Sequence, residues 1–414
     1  MVELYDPFDP AVHDDPYPIY RRLRDEHPTY WCETRGCWVL SRYDDVEDAL
    51  NHPEVFSSIN GVFPTRDAAG QGPDIMDALL PMMIMMDPPR HTQLRKLVSR
   101  AFTPRRIAAL EPTIRSLAVE LLDELSPAGS GDVVRDFAGP LPAMVIADML
   151  GVPREDRDQF RTWSSSMVQG DPMVAEERDA SLAAAAALYE YFSEVIQKRR
   201  DDPREDLVSA LVQAEVDGDR LGDDELLGFC LLLLVAGHET TTNLLGNSAV
   251  HLAEHPDQRR RLASETALLP DAVEELLRYD SPAQGLSRTL TRDLTRHGHR
   301  MRAGETVLLL FGSANRDDRV FADPDRLDIT RKPERQVAFG HGIHFCLGAA
   351  LARLESRVAL AEMLDRLPDW QLDPAKGPER LHSGPIRGYA TLPATWATSV
   401  RDERAHPLPR PVQT

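Results

Sequence analysis

Apolar residues recur at helical spacing along most of the chain. Positions three and four apart carry apolar side chains, so one side of each predicted helix can pack against a core. The helices predicted in this way are 107–125, 181–200, 223–255, 270–279 and 347–367. Apolar runs that indicate strands are fewer and shorter, namely 38–41, 301–302 with 306–310, and 389–392. The pattern therefore predicts a mainly α protein with small β-sheets.

The predicted helix at 223–255 differs from the others. It is about 32 residues long, which is roughly 48 Å at the standard rise. Its first half, LLGFCLLLLVAG, is apolar on all sides and is expected to run through the core. The next residues, HETTT at 238–242, add a histidine, a carboxylate and three hydroxyls. Because burying such groups without partners is costly, either the helix reaches the surface here or these side chains form a site. Gly237 and the threonines also predict a kink, because glycine weakens the helical hydrogen bonds and a threonine hydroxyl competes for carbonyls.

A second chemical signal is a cysteine in a glycine-rich loop, FGHGIHFCLG at 339–348. A helical pattern follows, which puts Cys346 at a helix N-terminus, where free N–H groups and the helix dipole favour a thiolate. A partly covered thiolate is a good ligand for iron. The residues alone leave two alternatives open. One is a buried structural cysteine, and the other is a zinc site that combines Cys346 with His341 and His344.

Composition and charge narrow the possible classes of function. The 414 residues include 47 Lys and Arg against 67 Asp and Glu, which gives a net charge of −20 at pH 7. Such an acidic chain should repel nucleic acids and anionic membrane surfaces, so neither is an expected partner. No apolar run is long enough to cross a bilayer, and the acidic start of the chain is unlike a signal peptide. Four cysteines fit a reducing compartment, and we predict a cytoplasmic protein.

Two segments are expected to be irregular. Proline, glycine and aspartate cluster in 57–81, in the manner of a long loop that carries function. The segment 401–414 contains three prolines and is expected to be a flexible tail. No repeat, low-complexity block or long linker divides the rest of the chain. We therefore predict a single domain over 1–414.

Four motifs together resemble the cytochrome P450 family. The loop FGHGIHFCLG fills every position that the family's haem-thiolate loop specifies. AGHETT at 236–241 is similar to the oxygen-activation stretch of the central helix, and EELLR at 274–278 contains the family's Glu-x-x-Arg. DPPRHTQLR at 87–95 is similar to the haem-facing helix of bacterial members. The resemblance implies a triangular, helix-rich domain, with haem b between the long central helix and the helix after Cys346.

The resemblance implies a catalytic centre with two parts. Cys346 would be the axial ligand of the haem iron, where its thiolate favours cleavage of the O–O bond. Glu239 and Thr240 would form an acid–alcohol pair that delivers the two protons that this cleavage needs. Cations near the haem would neutralise its two propionates, which cannot be buried unpaired. The residues expected to contact the haem are His91, Arg95, Arg288, Phe339, Gly340, His344, Gly348, Ala236 and Gly237.

The Glu-x-x-Arg motif implies a structural role. Glu275 and Arg278 are three residues apart, on one face of a predicted helix. By spacing alone, Glu274 could equally pair with Arg278. The resemblance selects Glu275 and adds Arg331 as a second cation on it. This group is expected to hold the segment that presents the cysteine loop, without a part in the reaction.

The resemblance also indicates where a substrate would lie. The positions expected in its pocket are largely uncharged, so an apolar terpenoid, steroid, fatty-acyl or macrolide-type molecule is the expected substrate. These pocket positions are Leu232, Val235, Ala236, Gln284, Leu286 and Met86.

The chain has no flavin, nicotinamide or iron–sulfur motif, so its electrons are expected from separate proteins. Similar bacterial systems use a ferredoxin and a ferredoxin reductase. The resemblance therefore implies a haem-thiolate monooxygenase that inserts one oxygen atom of dioxygen into its substrate, by hydroxylation or epoxidation. Two alternatives stay open: a peroxide-driven peroxygenase on the same fold, and a non-catalytic haem protein that binds ligands.

Overall fold

The structure is a computed structural model that describes residues 3–64, 81–168, 174–216 and 218–398. The predicted tail and residues 65–80 of the predicted loop lie outside these ranges. The helices α1 to α15, in chain order, are Pro10–Asp14, Tyr17–Glu26, Tyr43–Asn51, Arg90–Ser99, Pro104–Ala108, Glu111–Leu125, Pro140–Leu150, Arg157–Val168, Ala175–Asp201, Leu207–Val212, Asp223–Glu254, Pro256–Ser264, Leu269–Tyr279, Phe311–Ala314 and Ala349–Arg366.

The strands are short, as the sequence predicts. In chain order β1 to β14 are Thr29–Cys32, Cys37–Leu40, Phe56–Ser57, Ser130–Asp132, Glu215–Val216, Asp219–Arg220, Gly285–Leu290, Leu294–Arg296, His299–Met301, Thr306–Leu310, Gln371–Leu372, Glu379–Arg380, Tyr389–Thr391 and Pro393–Thr395. The largest sheet has five strands in the order β1-β2-β10-β7-β3, in which β10 runs parallel to β2. Residues 301 and 306 belong to separate strands, because the chain turns at Gly304, which has a φ of 87°.

Four of the five predicted helices are confirmed within a few residues, as α9, α11, α13 and α15. The prediction of one helix over 107–125 is wrong, since this stretch contains α5 and α6. Pro112 occupies the first turn of α6. Proline has no N–H to donate, and its ring clashes with the carbonyl one turn earlier, so α5 cannot continue through this position.

Helix α11 is the centre of the helical core. It packs against α7, α8, α9 and α15, and Leu231, Leu252 and Ala249 along it are fully buried. Glu239 is also buried, so the helix does not reach the surface at its polar stretch. Of the fifteen helices described above, none is long and apolar enough to cross a membrane. The all-apolar first half of the helix thus packs into protein.

A buried polar cluster joins the N-terminal helices to this core. Asp280 accepts hydrogen bonds from the hydroxyl of Tyr17 (2.6 Å) and Nε of Arg387 (2.8 Å), and its other oxygen lies 2.9 Å from Nε2 of His251. Burial alone would lower the pKa of His251, but Asp280 and Glu254 outweigh it and raise the pKa above 6.5. The folded state therefore favours the charged imidazolium.

This raised pKa predicts a pH-dependent contribution to stability. Stabilisation by His251 should be fully present below its unfolded pKa of 6.5 and lost as the pH rises through the higher folded value. In urea unfolding, His251→Gln should therefore lose about 1 kcal/mol more at pH ~5.5 than at pH ~9. The exposed His299 offers a control, and His299→Gln should show no such change. An equal loss for His251→Gln at both pH values would contradict the prediction.

Candidate active site

Two glycines with positive φ shape the loop before Cys346. Gly340 (φ 66°) and Gly342 (φ 67°) adopt the left-handed conformation, which is strained for residues with a side chain. A Cβ atom at Gly342 would also clash with the carbonyl oxygen of Leu50, whereas one at Gly340 would meet no atom within 4 Å. The N–H of Cys346 donates to the carbonyl of Phe339 (2.9 Å) and closes the loop. The loop thus leads directly into the first turn of α15.

The electrostatic surroundings of the Cys346 sulfur differ from the sequence-based expectation. Burial raises the pKa of the thiol, and the N–H groups of Gly348 and Ala349, with the cations of Arg95 and Arg353, oppose this without cancelling it. The expected lowering of the pKa is therefore wrong for the polypeptide alone, because desolvation outweighs the helix N-terminus. A bound metal cation would reverse this balance, since a coordinating thiol is deprotonated.

The zinc alternative finds no support near this cysteine. In the part of the chain that the structure describes, no three His, Cys, Asp or Glu side chains come together as a metal site. His344 instead lies against His91, with ring centroids 4.3 Å apart, and its Nε2 is 3.2 Å from Oγ of Ser58. Burial is the main reason why the pKa of His344 is lowered to about 3. His344 is therefore a neutral ring at neutral pH.

Unsatisfied donors lie beside this histidine pair. His91 is buried, and neither of its ring nitrogens has a hydrogen-bond partner. Arg288 on β7 is buried as well; it donates to the adjacent carbonyl of Ser287 (2.7 Å) and, among the described residues, forms no ion pair. Burial lowers its pKa to about 10, opposed by Asp87. Arg95 on α4 donates to the carbonyl of Phe345 (2.6 Å). A buried guanidinium without a carboxylate partner, such as that of Arg288, indicates a place for an anionic group.

Helix α11 contributes a hydroxyl to the same region. Oγ1 of Thr240 donates to the carbonyl of Ala236 (2.6 Å), and Oγ1 of Thr241 donates to that of Gly237 (3.2 Å). Helix α11 continues from Asp223 to Glu254, so the kink predicted near Gly237 does not interrupt it, and that kink stays a prediction. Each hydroxyl bonds back to the carbonyl four residues earlier, a contact that often bends a helix.

Glu239 directly precedes Thr240 and lies within the buried part of α11. Its side chain is 6% exposed, and Oε1 is 3.6 Å from Nδ1 of the equally buried His238. Nδ2 of Asn243 donates to the backbone carbonyl of Glu239 (2.8 Å). A buried carboxyl group and a hydroxyl are therefore adjacent in the helix that passes the cysteine loop.

A buried ionic network lies in the part of the protein that precedes that loop in the chain. Nε of Arg278 donates to Oε2 of Glu275 (2.7 Å), its Nη2 donates to Oε1 (2.9 Å), and both side chains are 0% exposed. Nε of Arg331 adds a third contact to the same carboxylate (3.1 Å). Glu274 binds Arg353 instead (3.1 Å), so it does not compete for Arg278. The three residues selected from the sequence form one group.

One cavity of about 430 Å³ lies between α11 and the cysteine loop, and Cys346, Thr240 and Arg288 all line it. Most of its remaining wall is apolar, with Met83, Phe102 and Phe229 among the side chains. The predicted site residues that line it are Cys346, Glu239, Thr240, Ala236, Gly237, His91, Arg95, Arg288, Phe339, Gly340, His344, Gly348, Leu232, Val235 and Leu286.

Two predicted pocket residues do not line this cavity. Gln284 is turned away, since it accepts a hydrogen bond from Tyr20 (2.9 Å) and donates to the carbonyl of Ser281 (2.6 Å). Met86 follows the short turn Met83–Met85 in extended conformation and packs its side chain against the core. Both residues were placed in the pocket by the resemblance, which does not show which way a side chain turns, and the structure leaves them outside the cavity wall.

Sequence analysis also missed part of the wall. Ile146 on α7 lines the cavity, and nothing in its local sequence relates it to the other lining residues. Glu355 was missed although a signal was present. The cavity-lining residues of α15 follow helical spacing from the cysteine loop onward: Gly348, Leu351, Ala352 and Glu355.

Comparisons with known proteins agree on one family. The family model described as Cytochrome P450 matches residues 11–395. The vitamin D(3) 25-hydroxylase of Pseudonocardia autotrophica is 42% identical over 400 residues, which cover 95% of this chain and 96% of that protein. Among solved structures, cytochrome P450 PksS of the Bacillus subtilis 168 bacillaene polyketide synthase has a TM-score of 0.87 at 36% identity, covering 95% and 100% of the two chains. CYP109E1 from Bacillus megaterium, in complex with testosterone, has a TM-score of 0.81 at 38% identity, covering 92% and 99%.

The chain belongs to the cytochrome P450 family. It is an oxidoreductase of the monooxygenase class, its cofactor is haem b, and the predicted fold class is confirmed. The described residues fit this group. The unpartnered nitrogens of His91 and the buried guanidinium of Arg288 suit its two anionic propionates. The open space at Gly340 leaves room for the flat ring.

Proposed function

We propose that this protein inserts one oxygen atom of dioxygen into an apolar small molecule, by hydroxylation or epoxidation. A separate ferredoxin and ferredoxin reductase would supply two electrons. The balanced reaction takes substrate, dioxygen, two electrons and two protons to oxygenated substrate and water. The observation that carries the proposal is that the sulfur of Cys346 and the hydroxyl of Thr240 share one largely apolar cavity. A cytoplasmic location and a single domain over 1–414 remain predictions from the sequence.

Four side chains would hold the cofactor. The sulfur of Cys346 would bind the iron, while Arg288, His91 and Arg95 would bind the propionates. Bound haem supplies the iron at which dioxygen is reduced and its O–O bond is split. The anions would also remove the cost of leaving buried donors unpaired, so binding is expected to stabilise this part of the protein.

Glu239 and Thr240 would deliver the protons that the reaction consumes. The hydrogen of the Thr240 hydroxyl is held by the carbonyl of Ala236, which leaves the oxygen lone pairs to accept a hydrogen bond from a water molecule in the cavity. Such a water would be oriented toward the reacting oxygen atoms. Glu239, one residue away, can give that water a proton and take another from the protein interior.

The identity of the sulfur ligand can be tested directly. Cys346→Ala should abolish the red-shifted carbon monoxide spectrum of the reduced protein, because that shift requires an axial thiolate. Cys230 is a matched control; it is buried in α11, and burial raises its pKa to about 12. Cys230→Ala should keep the shifted spectrum. Persistence of the shift in Cys346→Ala would place the ligand elsewhere.

The proton-delivery role of Thr240 predicts a loss of coupling. In Thr240→Ala, product formed per electron consumed should fall about tenfold to a hundredfold, while peroxide rises, because the cavity water loses its anchor. Thr240→Ser keeps a hydroxyl and should recover much of the coupling. The carbon monoxide spectrum should be unchanged in both variants. Wild-type coupling in Thr240→Ala would rule out this role.

The cavity wall favours an apolar substrate of moderate size. Some side chains of the cavity wall are polar. Besides those that would bind haem or deliver protons, they include Glu177 and Arg178 at the start of α9. The methionines of the turn Met83–Met85 are flexible and can adapt to differently shaped ligands. Two similar proteins support a steroid-like molecule, since one is named a vitamin D(3) 25-hydroxylase and the other holds testosterone.

A spectral titration of the ferric protein tests this substrate class. Steroids and secosteroids should produce a low-to-high-spin shift, because a ligand above the iron displaces its bound water. Short polar alcohols and sugars of similar size should produce none. If the titration detects binding only of fatty acyl or macrolide compounds, the steroid assignment fails and the broader apolar class stands.

Product formation with dioxygen and electron donors, but not with peroxide alone, would then separate a monooxygenase from a peroxygenase.

A further inference from the structure

One side chain from the N-terminal segment belongs to the cavity wall. Phe8 lines the cavity although it lies near the opposite end of the chain from Cys346. The side chains of Tyr5 and Pro7 are buried, Phe8 is half-buried, and Asp9 is exposed. The ring of Phe8 therefore lies where the cavity approaches solvent. Neither haem binding nor proton delivery involves this ring.

The ring of Phe8 packs closely against Gly384. A Cβ atom at Gly384 would lie 2.7 Å from Cζ of Phe8, which is closer than carbon atoms normally approach, so a side chain there would push the ring away. Pro385 and Ile386, which follow Gly384, also line the cavity. Ala283 forms a β-bridge with Ile386 and lines the cavity as well. Phe8 thus completes an apolar corner of the wall that two later segments of the chain begin.

Arg35, in the turn between β1 and β2, holds the ring in this position. Its guanidinium carbon lies 4.2 Å from the ring centroid of Phe8, at the distance of a cation–π contact. Nε of Arg35 donates to Oδ1 of Asp6 (2.8 Å), and Nη2 donates to Oδ2 (3.2 Å). The side chain of Arg35 is 5% exposed and that of Asp6 is 18% exposed, so solvent screens this bidentate pair only weakly. The N–H of Phe8 also donates to Oδ1 of Asp6 (2.9 Å).

A ring held in this way limits the space available to a substrate. Haem takes up part of the cavity of about 430 Å³, so the space left for a substrate is smaller than this volume. An apolar ligand gains about fourfold in affinity for each CH₂ group that it buries. This gain ends where the ligand meets a fixed side chain, because forcing extra groups into a packed region is unfavourable.

We propose that Phe8 is a specificity-determining residue, which closes the cavity where it approaches solvent and sets the greatest length of the substrate. Arg35 is the positioning residue that keeps the ring in place. This inference rests on the proposed function, because it concerns the apolar substrate of that same site. Compact ring skeletons should fit the closed cavity, whereas long extended acyl chains should be excluded.

Alkylimidazoles of increasing chain length measure this limit. Their nitrogen binds the ferric haem iron and shifts its absorption spectrum, so each titration gives a dissociation constant without turnover. From butyl to dodecyl, the affinity of the wild type should rise about fourfold per CH₂ group and then stop rising at one chain length. In Phe8→Ala this break point should move by about two CH₂ groups or more, and compounds beyond the wild-type limit should bind roughly tenfold tighter. An unchanged break point in Phe8→Ala overturns the inference.

Two further variants separate the ring from the segment that carries it. Phe8→Trp enlarges the ring and should move the break point to shorter chains, which also tests the limit if Phe8→Ala fails to bind haem. Leu4 is half-buried in the same segment and does not line the cavity, so Leu4→Ala is a matched control that should keep the wild-type break point. A shift in Leu4→Ala as large as that in Phe8→Ala would assign the limit to the packing of the whole segment and contradict the role of Phe8.

The positioning role of Arg35 predicts a similar change in chain length. Arg35→Ala should accept longer chains than the wild type, because the ring loses its cation–π contact and Asp6 loses its partner. Arg35→Lys keeps a cation beside Asp6 and should recover part of the wild-type limit. The butyl compound should bind equally to all variants, which would show that the iron site is unaltered. A wild-type break point in Arg35→Ala eliminates this role.

The two proposals fail in different ways. If the wild type makes no product with dioxygen and electron donors, the monooxygenase proposal fails, whatever the chain-length limit. If the wild type makes product and Phe8→Ala keeps the wild-type break point, the role of Phe8 alone is eliminated.

Discussion

The buried ion pair between Glu275 and Arg278 fixes the chain segment that precedes the cysteine loop. Both side chains are fully buried, so removing either partner would leave a charge without compensation, which costs about 3–5 kcal/mol in similar cases. The pair also binds backbone: Arg278 donates to the carbonyls of Asn315 and Pro324, and Glu275 accepts from the N–H of Asp328. The segment before the loop is therefore held by charged hydrogen bonds and not by apolar packing alone.

The cavity differs from this ion pair, because its buried polar groups lack partners of opposite charge. There, Arg288, His91 and Glu355 are buried with unsatisfied or weakly satisfied polar groups. Burying polar groups in this way lowers the stability of the folded protein. Such groups are usually found at functional sites. Anions are the expected partners of Arg288 and His91. Donors that are already in place do not have to be reorganised when a partner binds.

Much of the fold and of the candidate site could be predicted from local patterns. The all-apolar half of α11 identified the central helix, and the cysteine loop with its following helix was located within two residues. Other predictions failed for physical reasons. Pro112 ended a helix inside an unbroken apolar pattern. Gln284 turned toward Tyr20, and the Cys346 thiol has a raised pKa because burial outweighs the helix N-terminus. The failures at Gln284 and Cys346 involve a long-range contact and desolvation, which spacing does not contain, whereas Pro112 is a local signal that the apolar pattern does not include.

The sequence by itself determined the long central helix, the chemical character of the cysteine loop and the pairing of residue types in the Glu-x-x-Arg motif. These depend on interactions between residues close in the chain, which the spacing of side chains specifies. Only the tertiary structure decided that Glu275, and not Glu274, binds Arg278, and that Glu355 faces the same cavity as Thr240. Burial and the choice among equally spaced partners are set by packing between distant segments, because only packing removes water from a polar group.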